Sequence, residues 1–374
     1  MNISRYRFNK KGAFSLKDFD PSQTGGFRDK EEARRQLQDN VRRMAELQDR
    51  FYAQDREGLL LIFQAMDSAG KDGAIKHVMS GLNPQGVQVT SFKQPSAEEL
   101  DHDYLWRIVS HLPERGNIGI FNRSHYEEVL VGRVHNLPLS QKLPARCMEG
   151  DLWARRYRQI RDFERYLDEN GYTVLKFFLH ISKEEQKKRF LERIDTPEKN
   201  WKFSSSDIAE RARWNEYMDA YEIAINETAT RHAPWYVIPS DKKWFARLLI
   251  SEIVIQRLEK LDPQYPEVSK EQKAALSRCR RQLTEEDIVK IAHRMLSVTG
   301  KRMAQQGITL EAEDDAVAEL ARDGFDPQYG ARPLRRAIQN MVEDAVAEKM
   351  LEGELKSGDT AHVRLRDGKV VIEK

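Results

Sequence analysis

Residues 59–79 constrain the fold of this chain more than any other segment. Five apolar or aromatic residues in a row, residues 59–63, are typical of a strand buried on both faces of a parallel sheet. A loop with Gly70 and Lys71 follows, and residues 74–79 then have a helical pattern. This order is the layout of a phosphate-binding loop, where backbone N–H groups, the helix N-terminus and a lysine hold phosphate oxygens.

The loop departs from the standard pattern G-x-x-x-x-G-K-[ST] at two positions. Ala65 and Asp72 stand where a glycine and a hydroxyl residue are usual, so the hydroxyl that normally binds Mg²⁺ is missing. The carboxylates of Asp67 and Asp72 flank Lys71 instead, and hard divalent ions prefer oxygen ligands. We expect a carboxylate here to bind metal or to orient the acceptor. The alternative is an ordinary strand-turn-helix segment with a solvated lysine.

The composition of the 374 residues indicates a globular chain of two or three domains. Because 62 basic residues balance 60 acidic ones, the net charge does not point to nucleic acid or to an acidic membrane. We expect no membrane partner and no secretory signal, since no apolar run approaches the roughly 18 residues that span a bilayer. Cys147 and Cys279 lack metal-ligand neighbours, so we expect reduced thiols and a cytoplasmic location.

The hydrophobic pattern predicts alternating strands and helices in the first two thirds of the chain. Residues 30–54 have helical spacing, and residues 1–30 are polar and basic, as expected of an arm over the body. Such alternation implies right-handed crossovers and an α/β fold, a parallel sheet with helices on both faces. Besides residues 59–64, the predicted strands are residues 87–92, 118–121, 174–179 and 235–239.

A long charged stretch, residues 184–232, separates the last two predicted strands and is called the lid segment below. Basic residues are frequent in it, and it also contains aromatic residues such as Trp201 and Trp214. A basic helical pair at this place in a P-loop kinase is typical of a lid that closes over phosphates, which makes Lys202 and Arg213 candidate phosphate ligands. The alternative is a solvated amphipathic helix pair with structural aromatic residues.

The predicted strand at residues 118–121 leads into Asn122 and Arg123. P-loop proteins place a polar residue at this strand end to meet the metal or its water, and an arginine can bind phosphate bidentately. Arg133 lies ten residues further on, and a salt bridge to a surface acid is the alternative for either arginine. His125 and His135 are expected to be structural or hydrogen-bonded, because phosphoryl transfer needs no metal-bound imidazole.

Four segments occur here in an order that resembles the polyphosphate kinase 2 family. They are AMDSAGKDG at residues 65–73, MSGLNPQG at 79–86, FNRSHYE at 121–127 and APWYVIPSDKK at 233–243. The resemblance covers residues from about 30 to 266 and implies a thymidylate-kinase-like P-loop fold with a helical lid. It also implies transfer of a terminal phosphoryl group between inorganic polyphosphate and a nucleotide, with Mg²⁺. Asn122 replaces the aspartate of some members and resembles the branch that phosphorylates both AMP and ADP.

The resemblance implies a site that works by positioning and charge neutralisation. Lys71 would contact the phosphoryl group in flight, and Asp67 would orient the attacking nucleotide phosphate through a metal, with Asp72 in support. The predicted catalytic residues are Asp67, Lys71, Asp72 and Arg123, and the predicted metal ligands are Asp67 and Asn122. The predicted phosphate and polyphosphate ligands are Ala69, Gly70, Lys71, Gly73, Lys93, Arg133, Lys202 and Arg213.

A break at Pro263 and Pro266 separates the last hundred residues from the rest. Residues 284–287 resemble a helix N-terminal box, Pro333 suits a first helical turn, and the Asp-Gly pair at 367–368 predicts a hairpin. We therefore expect a small α/β module with its own core. The predicted organisation is a phosphotransferase domain at 1–266 with its lid at about 184–232, a linker at 267–283 and the module at 284–374.

Residues 307–310, 324–336 and 353–359 resemble the small C-terminal subdomain of the second ATPase ring in Clp-type AAA+ unfoldases. In that family the arginine at the position of Arg332 senses bound ATP, but no AAA+ large subdomain precedes the module here. Three interpretations stay open: Arg332 pairs within its own subdomain, the module mediates self-association or docking, or Arg332 reaches the nucleotide of the kinase domain.

The leading interpretation is a Mg²⁺-dependent, reversible phosphotransferase acting between polyphosphate and AMP, ADP and ATP. These kinases commonly assemble as homo-oligomers, so we expect one here. One alternative is an ATP-dependent nucleotide or small-molecule kinase on the same fold. Another is a Clp-associated adaptor with a vestigial kinase site, against which the intact Asp67, Lys71 and Arg123 argue.

Overall fold

The apolar run predicted as the first strand is an inner strand of a six-stranded sheet in the computed structural model, which describes residues 1–12, 14–27, 29–324 and 332–374. The strands of this sheet are β1 (Arg7–Phe8), β2 (Gly58–Ala65), β3 (Val87–Ser91), β4 (Ile118–Asn122), β5 (Tyr172–His180) and β6 (Trp235–Pro239). Their order is β1-β6-β5-β2-β4-β3, and every neighbouring pair is parallel except β1 with β6. Every residue of β2 is buried, as expected of a strand covered on both faces.

Helices cover both faces of this sheet, which confirms the predicted α/β class. The helices are α1 (Lys30–Gln54), α2 (Lys71–Val78), α3 (Ala97–Asp101), α4 (Trp106–Val109), α5 (Val131–Val134), α6 (Ala145–Met148), α7 (Leu152–Glu169), α8 (Lys183–Asp195), α9 (Ser206–Ala212), α10 (Trp214–Thr228) and α11 (Lys243–Leu261). α1 and α2 pack with α11, while α10 packs with α7, which contacts β5. The predicted strands lie within two residues of the observed ones.

The N-terminal residues differ from the expected polar arm, because they enter the sheet and the core. Arg7–Phe8 form β1, which pairs antiparallel with β6, and the side chains of Tyr6, Phe14 and Phe19 are buried. These rings pack edge to face with one another and with Phe8. Their irregular spacing leaves no helical or strand period, so the hydrophobic pattern gave no sign of their burial.

The chain divides into two compact units, Met1–Pro266 and Glu267–Lys374, and each has its own hydrophobic core. The second unit contains α12 (Lys270–Ala304), β7 (Thr309–Ala312), α13 (Asp314–Asp323), α14 (Arg332–Ile338), α15 (Asp344–Leu351), β8 (Thr360–Arg366) and β9 (Lys369–Glu373). The predicted hairpin is confirmed, since β8 and β9 pair antiparallel around Asp367 and Gly368, both at positive φ. Pro333 lies in the first turn of α14, also as predicted.

The predicted helix start at residues 284–287 is wrong, and the segment predicted as a linker, residues 267–283, is helical from Lys270 onward. α12 begins at Lys270, where Ser269 and Gln272 form a capping box, and it continues without a break to Ala304. No proline interrupts this stretch, so the box-like residues at 284–287 lie inside the helix. Part of the Clp-like motif, residues 325–331, lies outside the described residues, as does the side chain of Arg332.

No helix in the described part of the chain is both long enough and apolar enough to span a bilayer.

Candidate active site

The parallel strands bring most of the predicted site residues to one edge of the sheet. Phe63 of β2 and Ser91 of β3 both lie opposite Asn122 of β4, so β3 and β4 end at the same level and β2 ends two residues further on. The loop after β2, Lys93 after β3 and Arg123 after β4 therefore meet at this edge. With residues of α8, α11 and the lid segment they line an open cavity of about 730 Å³.

The loop between β2 and α2 has the backbone of an anion cradle. Gly70 is the N-cap of α2 with a φ of 107°, a left-handed conformation that favours glycine. The N–H groups of Lys71, Asp72 and Gly73 begin the helix, so they have no carbonyl partner within it. These groups and the positive end of the helix dipole face the cavity that they line, which suits phosphate oxygens.

Lys71 is the first residue of α2, and the carboxylates of Asp67 and Asp72 lie on either side of it in the sequence. Its ammonium donates a hydrogen bond to the carbonyl oxygen of Ala65, at 2.8 Å. Burial lowers the pKa of Lys71 and the nearby Arg123 acts in the same direction, while Asp67 and Glu127 oppose them. The lysine is therefore a desolvated cation at the start of α2.

Two polar pairs flank Lys71. The guanidinium of Arg123 lies 3.2 Å from a carboxylate oxygen of Asp67, and the amide of Asn122 donates to Asp72 at 2.8 Å. The predicted metal ligands Asp67 and Asn122 thus each bond to a different partner. Among the described residues, no group of three or more His, Cys, Asp or Glu side chains is placed to hold a metal alone.

The side chain of Arg189 in α8 holds the phosphate-binding loop in place. This side chain is buried, and its five N–H donors all find acceptors. The acceptors are the carbonyl oxygens of Ser68 (3.0 Å), Ala69 (2.9 Å), Ser240 (2.7 Å) and Asp241 (3.1 Å) and the carboxylate of Glu185 (2.9 Å). One guanidinium therefore ties the phosphate-binding loop to the segment that follows β6. Sequence reasoning missed this residue among the other cations of the lid segment.

Ten of the twelve predicted site residues line the cavity, and two do not. Arg133 donates to the hydroxyl of Tyr157 at 3.4 Å, and Arg213 pairs with Glu216 at 2.6 Å. Arg213 is thus engaged by a nearby acid of α10 in this structure, and the phosphate role of both arginines stays a prediction. The cavity-lining residues are Asp67, Ala69, Gly70, Lys71, Asp72, Gly73, Lys93, Asn122, Arg123 and Lys202.

Several further charged residues of the cavity were not among the predicted ligands. Lys243 and Arg247 come from the first turns of α11, and Arg193 and Lys199 come from the lid segment. The sequence alone could have indicated the pair on α11 as ligands. Lys243 and Arg247 are four residues apart, so they share one helix face, and they follow directly after a predicted parallel strand. The other two are separated from the loop by more than a hundred residues and have no such signal.

Glu127 borders a small side pocket of about 40 Å³ together with Asp67, Arg123, Tyr217 and Tyr221. Burial raises the pKa of Glu127, while Arg123 and then Lys71 pull it down. The two tyrosines are buried, as the structural alternative for the lid aromatics predicts. Trp201 differs from them, since it is 78% exposed and lines the main cavity.

The two histidines near the site have structural surroundings, as predicted. His125 is fully enclosed, with Nε2 at 3.7 Å from Glu164, and burial lowers its pKa. His135 bonds to Glu210 at 2.9 Å. The carboxylate of Glu164 that lies near His125 is also 2.6 Å from the buried ammonium of Lys176.

The parallel sheet, the Gly-Lys loop at a helix start and the cation-lined cavity define a protein of the P-loop kinase class. Residues 27–266 match the model of the family described as Polyphosphate kinase 2 (PPK2). The chain therefore belongs to the polyphosphate kinase 2 family. Residues 283–363 match a second model, described as the C-terminal, D2-small domain of ClpB protein.

Individual relatives agree with this assignment. An ADP-polyphosphate phosphotransferase of Rhodopseudomonas palustris is 52% identical over 259 residues, 69% of this chain and 90% of that protein. An AMP/ADP-polyphosphate phosphotransferase of Meiothermus ruber is 48% identical over 266 residues, 71% of this chain and 96% of that protein. The crystal structure of Polyphosphate Kinase 2 from Arthrobacter aurescens TC1 is 42% identical, covers 74% of this chain and 96% of that chain, and superposes with a TM-score of 0.67.

Proposed function

We propose that this protein transfers a phosphoryl group between inorganic polyphosphate and adenine nucleotides, reversibly converting AMP or ADP to ADP or ATP. The observation that carries the proposal is the lining of the cavity. Lys71 and Arg123 lie beside the unpaired N–H groups at the start of α2, and further cations surround them. Relatives named as ADP- and AMP/ADP-polyphosphate phosphotransferases support the choice of substrates.

In this proposal the chain acts by holding two phosphate groups in line. The N–H groups of Lys71, Asp72 and Gly73 bind the oxygens of the transferred phosphoryl group, and the Lys71 ammonium turns from the Ala65 carbonyl towards it. Arg123 neutralises charge on the same group, and Asp67 keeps Arg123 in place. The acceptor phosphate is already ionised, so the reaction needs no strong general base.

We propose Mg²⁺ as the cofactor, held by Asp67 and the amide oxygen of Asn122 with Asp72 in support. Carboxylate and amide oxygens suit this hard cation, which is usually bound by one or two carboxylates together with substrate phosphates. The small number of acidic groups at the site agrees with this mode, since no all-protein cage is found in the part of the chain described. When bound, Mg²⁺ neutralises charge on the reacting phosphates.

The domain roles follow from the same proposal. Residues 1–266 form the phosphotransferase domain, with residues 184–232 as its lid, and the C-terminal unit takes no part in the chemistry. A homo-oligomeric state and a cytoplasmic location stay predictions from the sequence.

The test is a coupled assay in which the purified protein receives polyphosphate, Mg²⁺ and either AMP or ADP, with no other phosphoryl donor. We expect ADP or ATP to form in proportion to the polyphosphate consumed. An enzyme that needs ATP as its donor, or that leaves polyphosphate intact with both nucleotides, would contradict the proposal. The first of these outcomes identifies an ATP-dependent kinase on the same fold.

A further inference from the structure

Two of the cations that line the cavity lie on α11 and were not among the predicted ligands. Lys243 and Arg247 line the cavity from the β6 side of the sheet, whereas Lys93, Asn122 and Arg123 line it from the β3–β4 side. A Cβ atom built on Gly73 would lie 3.5 Å from Nη2 of Arg247. The guanidinium of Arg247 therefore lies against the first turn of α2, directly beside the phosphate-binding loop.

The acids that act on Lys243, Glu192 and Glu185, are each paired with another cation. Within the part of the chain described, no hydrogen bond or ion pair engages the ammonium of Lys243 or the guanidinium of Arg247. The first turn of α11 contains no acidic residue, and Glu192 bonds at 2.6 Å to Lys199 instead. Partial burial and the charge of Arg189 lower the pKa of both groups, while Glu192 and Glu185 partly oppose this at Lys243. Lys243 and Arg247 therefore give the α11 side of the cavity an excess of positive charge, although Glu192 also lines it.

The opposite side of the cavity has a different chemistry. Ser91, Phe92, Gln94 and Asn122 are neutral there, and the acids Asp67 and Asp72 lie close to the cations. A mixture of neutral polar groups, an aromatic edge and a few cations suits a nucleotide, which carries its charge at one end. A polyphosphate chain carries about one negative charge on every phosphate, so it suits a run of cations that are not held in ion pairs of their own.

We propose that Lys243 and Arg247 form a subsite for the part of the polyphosphate chain that lies behind the transferred phosphoryl group, and that this subsite makes the enzyme favour long chains. The proposal rests on the proposed function. A nucleotide phosphate oxygen bonds to the terminal phosphorus, and the bond from that phosphorus to the bridging oxygen breaks. The bridging oxygen keeps the electron pair, and the shortened chain stays on Lys243 and Arg247 for another turnover.

The experiment compares Lys243→Gln, Arg247→Gln and the double variant with wild type, using long-chain polyphosphate or tripolyphosphate as donor and ADP as acceptor. Lys242→Gln is the matched control, since Lys242 is the adjacent exposed cation and does not line the cavity. We expect the double variant to lose about tenfold more kcat/KM with long-chain polyphosphate than with tripolyphosphate, the scale of one charge-assisted contact. Its KM for polyphosphate rises more than its KM for ADP.

An Arg247→Lys variant keeps the charge and is expected to recover most of the lost affinity for the long chain. Thermal midpoints of all variants show whether each one is folded. Equal losses with the two donors, or a rise confined to the KM for ADP, would overturn the subsite while leaving the proposed function in place. A wild-type protein that forms ATP from neither donor would instead refute the proposed function, and the subsite with it.

Discussion

Two non-glycine residues at the site have positive φ angles, Ser68 at 64° in the loop after β2 and Arg123 at 65° directly after β4. Each such residue costs about 1 kcal/mol or more, so surrounding contacts have to hold it. The N–H group of Arg123 donates to the carbonyl of Phe63 at 3.0 Å, and Arg189 binds the carbonyl of Ser68 at 3.0 Å. We interpret this strain as preorganisation of the cradle.

The buried His180 is expected to contribute to the pH dependence of the stability of the fold. His180, at the end of β5, is buried beside Phe19 and Phe178, and burial lowers its pKa from 6.5 to about 4. Between these values the unfolded chain binds a proton that the folded chain does not, so the stability present above pH 6.5 is lost as the pH falls towards 4. The loss amounts to about 3 kcal/mol, and urea unfolding across this pH range measures it.

The matched variant is His180→Gln, which removes the titrating group and keeps a polar side chain of similar size. We expect its free energy of unfolding to be less steep in pH than that of wild type over the same range. Parallel curves for the two proteins would show that His180 does not carry this dependence.

The residues of the site divide into those that the sequence reveals and those that only the fold brings in. Asp67 and Lys71 belong to one short loop pattern, so local order alone points to them. Arg189 follows Lys187 and Lys188, and nothing in the sequence distinguishes the buried cation from its two neighbours. Its role arises from the packing of α8 against the loop, a long-range contact that has no local signature.

At the scale of elements, the hydrogen bonds of Arg189 that join α8 to the phosphate-binding loop predict that a change of this residue slows the reaction. A lysine at position 189 keeps the charge but places three donors on one nitrogen, so it cannot reach four carbonyls on two segments. We expect Arg189→Lys to lower kcat/KM about a hundredfold, the cost of a small misplacement of reacting groups. Steady-state kinetics measures this loss. Lys188→Ala, on the exposed face of α8, is the control, and wild-type kinetics in Arg189→Lys would refute the positioning role.

The buried pair between β5 and α7 makes a prediction about stability. Lys176 and Glu164 are fully buried at 2.6 Å, and the ammonium also bonds to the hydroxyl of Tyr126 at 3.0 Å. Lys176→Met or Glu164→Leu alone leaves an uncompensated buried charge and should cost about 3–5 kcal/mol. The double variant should cost clearly less than the sum, as measured by chemical denaturation. Additive costs would mean that the two side chains are not energetically coupled.

The elements themselves were predictable where one physical signal dominated. The apolar runs of β2 and β5 and the period of α1 indicated their positions, because each is buried along a continuous face. The start of α12 was misplaced, since two capping patterns compete in that sequence and only the observed one lies at the helix end. β1 has two residues, too few for any period to show.

For the whole molecule, the two units with separate cores predict separable folding and catalysis. A protein of residues 1–266 keeps the entire first core and all cavity-lining residues. We expect it to fold and to keep kcat/KM within about threefold of the full chain, as for an independent domain. Calorimetry should show that the full chain has an additional unfolding transition. A folded but inactive fragment would assign a catalytic part to the C-terminal unit.

The same fragment separates the interpretations of the Clp-like module, because its mass in solution can be compared with that of the full chain. A smaller assembly of residues 1–266 would support self-association through residues 267–374. An unchanged assembly with unchanged kinetics would leave Arg332 a role within its own subdomain.

The central claim is that an anion cradle at the end of β2, charged by Lys71, transfers the phosphoryl group. The most direct measurement is the rate of ATP formation from polyphosphate and ADP by Lys71→Ala and Asp67→Ala, with circular dichroism to verify folding. The account predicts folded proteins with rates lowered about 10³-fold or more, the scale of losing a transition-state cation or its positioning partner. A folded variant of either kind with the full wild-type rate would contradict it.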